Sequence, residues 1–129
     1  MKIIYKGDPD KIKYFARKGL GPFELYVRNS KDLELDYKDI SAIHFHYKLD
    51  DGRTINLADP GEVGNLSEAM LNKAVQCAKK NSIKKIVFHA PEINRFTQDK
   101  KEAIKVMVNR LERVYDPEVL FCIENVCLW

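Results

Sequence analysis

The constraint that does most to limit the fold is an alternation. Five short apolar stretches are separated by segments whose apolar residues recur every three or four positions. "KIIYK" (residues 2–6), "PFELYV" (22–27), "AIHFH" (42–46), "KIVFH" (85–89) and "LFCIE" (120–124) read as strands. Between the first two, Asp8 is placed to cap a helix, Pro9 to open it and Gly19 to stop it, with Ile12, Phe15 and Ala16 as its inward stripe. Residues 28–39 are polar, and 32–37 form either a short helix or only a connection. "DG" at 51–52 marks a small hairpin in the long segment after the third strand. Asn65 with Glu68 has the form of a capping box at the head of a helix that buries Leu66, Met70, Ala74, Cys77 and Ala78. A last helix is predicted over roughly 97–115, with Ile104, Met107, Leu111 and Val114 on one face. Strand and helix in such alternation imply βαβ units, right-handed crossovers and a parallel sheet, hence an α/β fold.

A chain of 129 residues is one domain (1–129), long enough for a core of its own. Its hydrophobic content of 45% and charged content of 32% are those of a globular chain. A net charge of +3 is too small to indicate a nucleic-acid surface, and the lysine pairs near 79, 84 and 100 read as solvated helix positions. Three cysteines, with no CxxC pair, and an N-terminus that turns polar early point to free thiols in a reducing cytoplasm. Cys122 and Cys127 read as packing residues, and no apolar run is long enough to span a bilayer. The sequence holds no phosphate-binding glycine loop, nucleophile elbow or HExxH.

The placement of polar residues is less ordinary. A parallel strand covered on both faces is nearly all apolar, yet three consecutive strands here end on His46, His89 and Glu124. Side chains alternate between faces along a strand. One parity is bulky and apolar: Phe23, Leu25, Val27; Ile43, Phe45; Ile86, Phe88; Phe121, Ile123. The other holds Glu24, Tyr26, His44, His46, His89, Cys122 and Glu124. Such a split fits a barrel wall, with helices outside and a site at the carboxyl rim. Two imidazoles and a carboxylate are ligands suited to zinc, manganese or iron. His44, one layer deeper, is expected to be a hydrogen-bonded interior histidine, and Tyr5 to share the inner face.

At "FHYKLDDGRTINLADP", "KKIVFHAPEIN" and "CIENV" the chain resembles the xylose isomerase-like TIM-barrel superfamily, which includes endonuclease IV and the sugar-phosphate isomerases and epimerases. "FARKGLGPFELYV" is similar to the start of those barrels. The resemblance covers essentially the whole chain, with two departures: "FHAPE" lacks the glycine of an "FHPG" turn, and "LDDGR" lengthens the loop after His46. It implies that His46, His89 and Glu124 bind a divalent metal (zinc, manganese or similar), with Glu124 and Glu24 as candidate catalytic carboxylates. A whole barrel has eight strands in ~250 residues, whereas five are legible here. The resemblance therefore implies a partial barrel, either a truncated product or a natural half completed by another chain.

Three functions follow as expectations. The first is a metal-dependent sugar or sugar-phosphate isomerase or epimerase, acting on a small sugar-like molecule and incomplete without a partner. The second is a non-catalytic barrel fragment, and the third an abasic-site nuclease of the endonuclease IV kind, which the mild charge supports least. An open sheet with a raw edge also leads to the expectation of a homodimer or larger assembly.

Overall fold

The computed structural model describes residues 4–45, 48–89 and 99–124. The fold is α/β. Strands β1 (Tyr5–Gly7), β2 (Phe23–Val27), β3 (Ile40–Phe45), β4 (Lys85–His89) and β5 (Leu120–Glu124) form one sheet in the order β1-β2-β3-β4-β5, and every pair is parallel. Helices α1 (Pro9–Ala16), α2 (Glu62–Lys80) and α3 (Lys100–Val114) alternate with them, and a 3-10 turn, Ser30–Glu34, fills the connection after β2. Sequential order without reversal distinguishes this sheet from a doubly wound one, whose strand order turns back on itself.

A single core cluster joins Phe23, Leu25 and Val27 of β2, Ile43 and Phe45 of β3, and Ile86 and Phe88 of β4 to Ile12, Leu71, Val75 and Val114 of the helices. All these strand residues share one parity. The helices therefore lie on one face, and the other parity forms an inner face. Tyr5 is a correction to the expected inner set. It pairs in register with Phe23 and its ring stacks near Phe15, centroids 6.2 Å apart, on the helix side. Its neighbour Lys6, in register with Glu24, is the inner-face residue of β1.

The helix signals resolve unevenly. Asp8 caps α1 as its composition demands, accepting from the Lys11 amide at 3.0 Å, and Gly19 takes the left-handed φ of 71° past the helix end. Ala16, placed on the inward stripe, is exposed. The hairpin after β3 exists as a Lys48–Thr54 bridge closed by the Leu49 amide on the Arg53 carbonyl. α2, however, begins at Glu62 rather than after Asn65. The Asn65 amide already bonds to the Gly61 carbonyl inside the helix, so its side chain has no cap to make. Asp59 does that work, accepting from the amides of Gly61 (2.8 Å) and Gly64 (3.3 Å).

Asn65 and Glu68 instead grip α3. Arg110, almost fully buried, donates to Asn65 Oδ1 at 3.0 Å, Glu68 Oε2 at 2.7 Å and the Asp59 carbonyl at 3.0 Å. Arg113 adds a two-pronged contact to Glu68 at 2.7 and 2.8 Å. Of the expected α3 face, Val114 is buried and Met107 and Leu111 pack partly buried against the core, while Ile104 is exposed and the clamp buries Arg110 beside Ala103. Leu66 of α2 is exposed too, although Met70, Ala74, Cys77 and Ala78 are inside as their spacing requires.

Candidate metal centre

The inner face is built from the polar parity of β1 to β5. Register places Tyr26, His44, Val87 and Cys122 in one layer across β2 to β5, with Lys6, Glu24 and Ala42 beneath and His89 opposite Glu124 above. On β2, β3 and β4 they are held there by strand neighbours buried in the core on the other side.

Three of these side chains converge. His44 Nε2 is 3.3 Å from Glu124 Oε2, and His89 Nδ1 is 3.8 Å from the same oxygen. The imidazoles meet edge to face with centroids 5.5 Å apart. A donor atom from each of His44, His89 and Glu124 lies within 4.8 Å of the other two, close enough to share one cation. Donors at ~2.1 Å from a tetrahedral zinc stand ~3.4 Å apart, so the His44–Glu124 edge already matches a coordination polyhedron. Among the described residues three donors converge, and a set of three leaves further positions open, as in catalytic zinc sites.

Below the cluster, His44 Nδ1 is 2.7 Å from Glu24 Oε1 and 2.8 Å from the Lys6 ammonium. Lys6 also lies over the Tyr26 ring, 5.5 Å from its centroid. A carboxylate on the second nitrogen of a ligating imidazole is the usual means of orienting the ring toward a metal. The donor set and this support together fit a divalent ion.

Of the residues singled out from sequence, the structure brings His89, Glu124 and Glu24 into one group. His46 lies outside the described residues, as does Cys127. His44 is indeed buried and hydrogen-bonded, but it also belongs to the cluster, which the sequence did not assign. Its parity with His46 was the available signal. Lys6 was missed because the flanking Tyr5 was placed on the wrong face.

Arg28, just past β2, donates to Asp32 through Nε at 3.1 Å and to Asp10 through Nη1 at 3.0 Å, tying the 3-10 turn to α1. Hydrogen bonding to Asp32 raises its already high pKa further.

No protein-family model matches the chain, and no curated protein does. The resemblance to xylose isomerase-like barrels thus stands on its motifs alone, and function is argued from the site.

Proposed function

We propose that this chain is a module of a metal-dependent sugar or sugar-phosphate isomerase or epimerase, its divalent ion held by His44, His89 and Glu124. The observation that carries this reading is the convergence of their donor atoms within 4.8 Å on the open face of a sequentially ordered parallel sheet. When bound, the ion would polarise vicinal oxygens of a polyol and stabilise an enediolate-like charge. Glu124 is the carboxylate at the open face available to hold or move a proton, as such isomerisation requires, with Glu24 behind it on His44 Nδ1.

The site is open. Glu124 is about half exposed, and a small-molecule pocket normally encloses most of its ligand. The reading therefore includes a second chain that walls the inner face. A nuclease has less support: Lys79 and Lys80, candidates for phosphate contacts, are engaged by Asp116 at 2.7 Å and Asp36 at 2.6 Å. Among the described residues no helix is long and apolar enough to cross a membrane.

The test is two-part. Cobalt or zinc titration of tag-free protein followed by calorimetry should give saturable binding that His89→Ala removes. NMR-monitored interconversion of aldose, ketose and epimer pairs, with manganese, zinc or cobalt, should then show turnover in the assembled protein and none in His89→Ala. No binding of any of these ions by the wild type would overturn the reading.

A further inference from the structure

One ring nitrogen, His44 Nδ1, faces two groups of opposite demand. Glu24 Oε1 at 2.7 Å can only accept, and the Lys6 ammonium at 2.8 Å can only donate. Neutral imidazole carries one proton, so Nδ1 satisfies one of them at a time. If Nδ1 carries the proton, it donates to Glu24, and Nε2 presents a bare lone pair toward Glu124 and His89. If Nδ1 accepts from Lys6, the proton sits on Nε2, which then donates to Glu124 at 3.3 Å. The first arrangement is a metal ligand; the second closes the cluster on itself as a hydrogen bond. The ring is buried and backed by Tyr26, 6.2 Å away between centroids, so it has little freedom to escape the choice by turning.

We infer that Glu24 and Lys6 compete for His44 Nδ1 and so decide whether Nε2 is a metal ligand or a proton donor to Glu124. Glu24 is then a positioning residue that holds the ligand tautomer, and Lys6 is a built-in antagonist that holds the closed one. The consequence for the ion rests on the metal reading above; the consequence for the tautomer does not.

The experiment separates the two. Long-range 15N–1H correlation spectra of metal-free protein, at a pH where the imidazole is neutral, report which nitrogen carries the proton. His44 is assigned by loss of its signals in His44→Gln, since the chain has three histidines. Glu24→Leu should shift the ring toward the Nε2–H form and Lys6→Met toward Nδ1–H, while Glu24→Gln, which keeps an acceptor oxygen, should fall between wild type and Glu24→Leu. Cobalt affinity, read from its visible absorption, should drop ~10–100-fold in Glu24→Leu, the usual effect of losing an outer partner, and rise several-fold in Lys6→Met. Opposite shifts of the tautomer are the discriminating result, because removing a nearby charge alone changes affinity without moving the proton. A tautomer unmoved by both Lys6→Met and either Glu24 variant, or a ring that stays doubly protonated throughout the folded range, would overturn the inference. A wild type that binds no cobalt while its tautomer responds as stated would overturn the metal reading and leave the competition established.

Discussion

His44 and Glu124 stand on β3 and β5, with β4 between them, yet His44 Nε2 and Glu124 Oε2 are 3.3 Å apart. Strands two steps apart are separated by ~9.6 Å in a flat sheet. Register puts Glu124 opposite His89, one layer above His44 and Val87, so the contact crosses β4 on a diagonal. The cluster therefore depends on two long side chains leaning across β4 as much as on residue identity.

Loss of a donor should consequently be felt more than loss of a support. His44→Ala, His89→Ala and Glu124→Gln should each weaken cobalt binding by more than the ~10–100-fold of an outer-partner variant. Calorimetric titration of all three beside His46→Ala checks the ligand set. A collapse of affinity in His46→Ala, with His44→Ala near wild type, would move the assignment up the strand to the residue that the resemblance implied.

The α2–α3 clamp predicts an acid-sensitive helix pair. Arg113, with Arg110 behind it, holds the Glu68 carboxyl down from 4.5 to about 2. A depressed carboxyl contributes its stability fully above its unfolded pKa and loses it as pH falls. The contribution should thus be complete above about 4.5 and fade toward about 2. Glu68→Gln leaves the buried Arg110 charge without its carboxylate and should cost about 3 kcal/mol near neutrality, the low end for breaking a buried pair. Urea midpoints measured from neutral to acid pH should converge for wild type and variant at the acid end. Parallel curves would rule the clamp out as the source.

This clamp also marks where the sequence stops being legible. The strands of the sheet were readable because apolar parity and β propensity agree within a few residues, and β4 and β5 match residue for residue. Asn65 and Glu68 misled because cap chemistry and ion-pair chemistry use the same residue types. Only the position of Arg110, 45 residues away from Asn65, decides between them. The inner face was legible by parity, but the reach of His44 to Glu124 across β4 depends on strand order and side-chain direction, which no local pattern encodes.

Gly64 is a further test of the clamp. A Cβ there would lie 1.9 Å from the Asp59 carbonyl oxygen and 2.6 Å from Arg110 Nη2. The first is backbone held by the cap, so neither neighbour can yield cheaply. Gly64→Ala should destabilise by at least ~2 kcal/mol, within the range for overpacking. Gly52→Ala, where a Cβ meets open space and only the φ of +87° is strained, should cost about 1 kcal/mol. Chemical denaturation of the pair should preserve that order; equal losses would mean that α2 shifts freely at its first turn.

The last prediction concerns assembly. β5 is an edge strand among the described residues, and it presents Leu120 on one face and Ile123 on the other, both about half exposed. Ile104 and Val108 of α3 are exposed as well. A free parallel edge flanked by aliphatic side chains favours pairing with another chain, and we propose that a second copy is the partner. Two-fold symmetry repeats every contact. Burying the exposed half of two such side chains per copy at ~1 kcal/mol each contributes ~4 kcal/mol, and edge hydrogen bonds at ~1 kcal/mol apiece add roughly as much. Association itself costs ~4 kcal/mol or more, which leaves about 4 kcal/mol and places the dissociation constant near millimolar. Sedimentation equilibrium should show dimer emerging between high-micromolar and millimolar concentration, converted to monomer by Ile123→Lys, with both proteins retaining the same far-ultraviolet circular dichroism. A wild-type monomer throughout that range would mean that the open face is closed by a different chain or not at all.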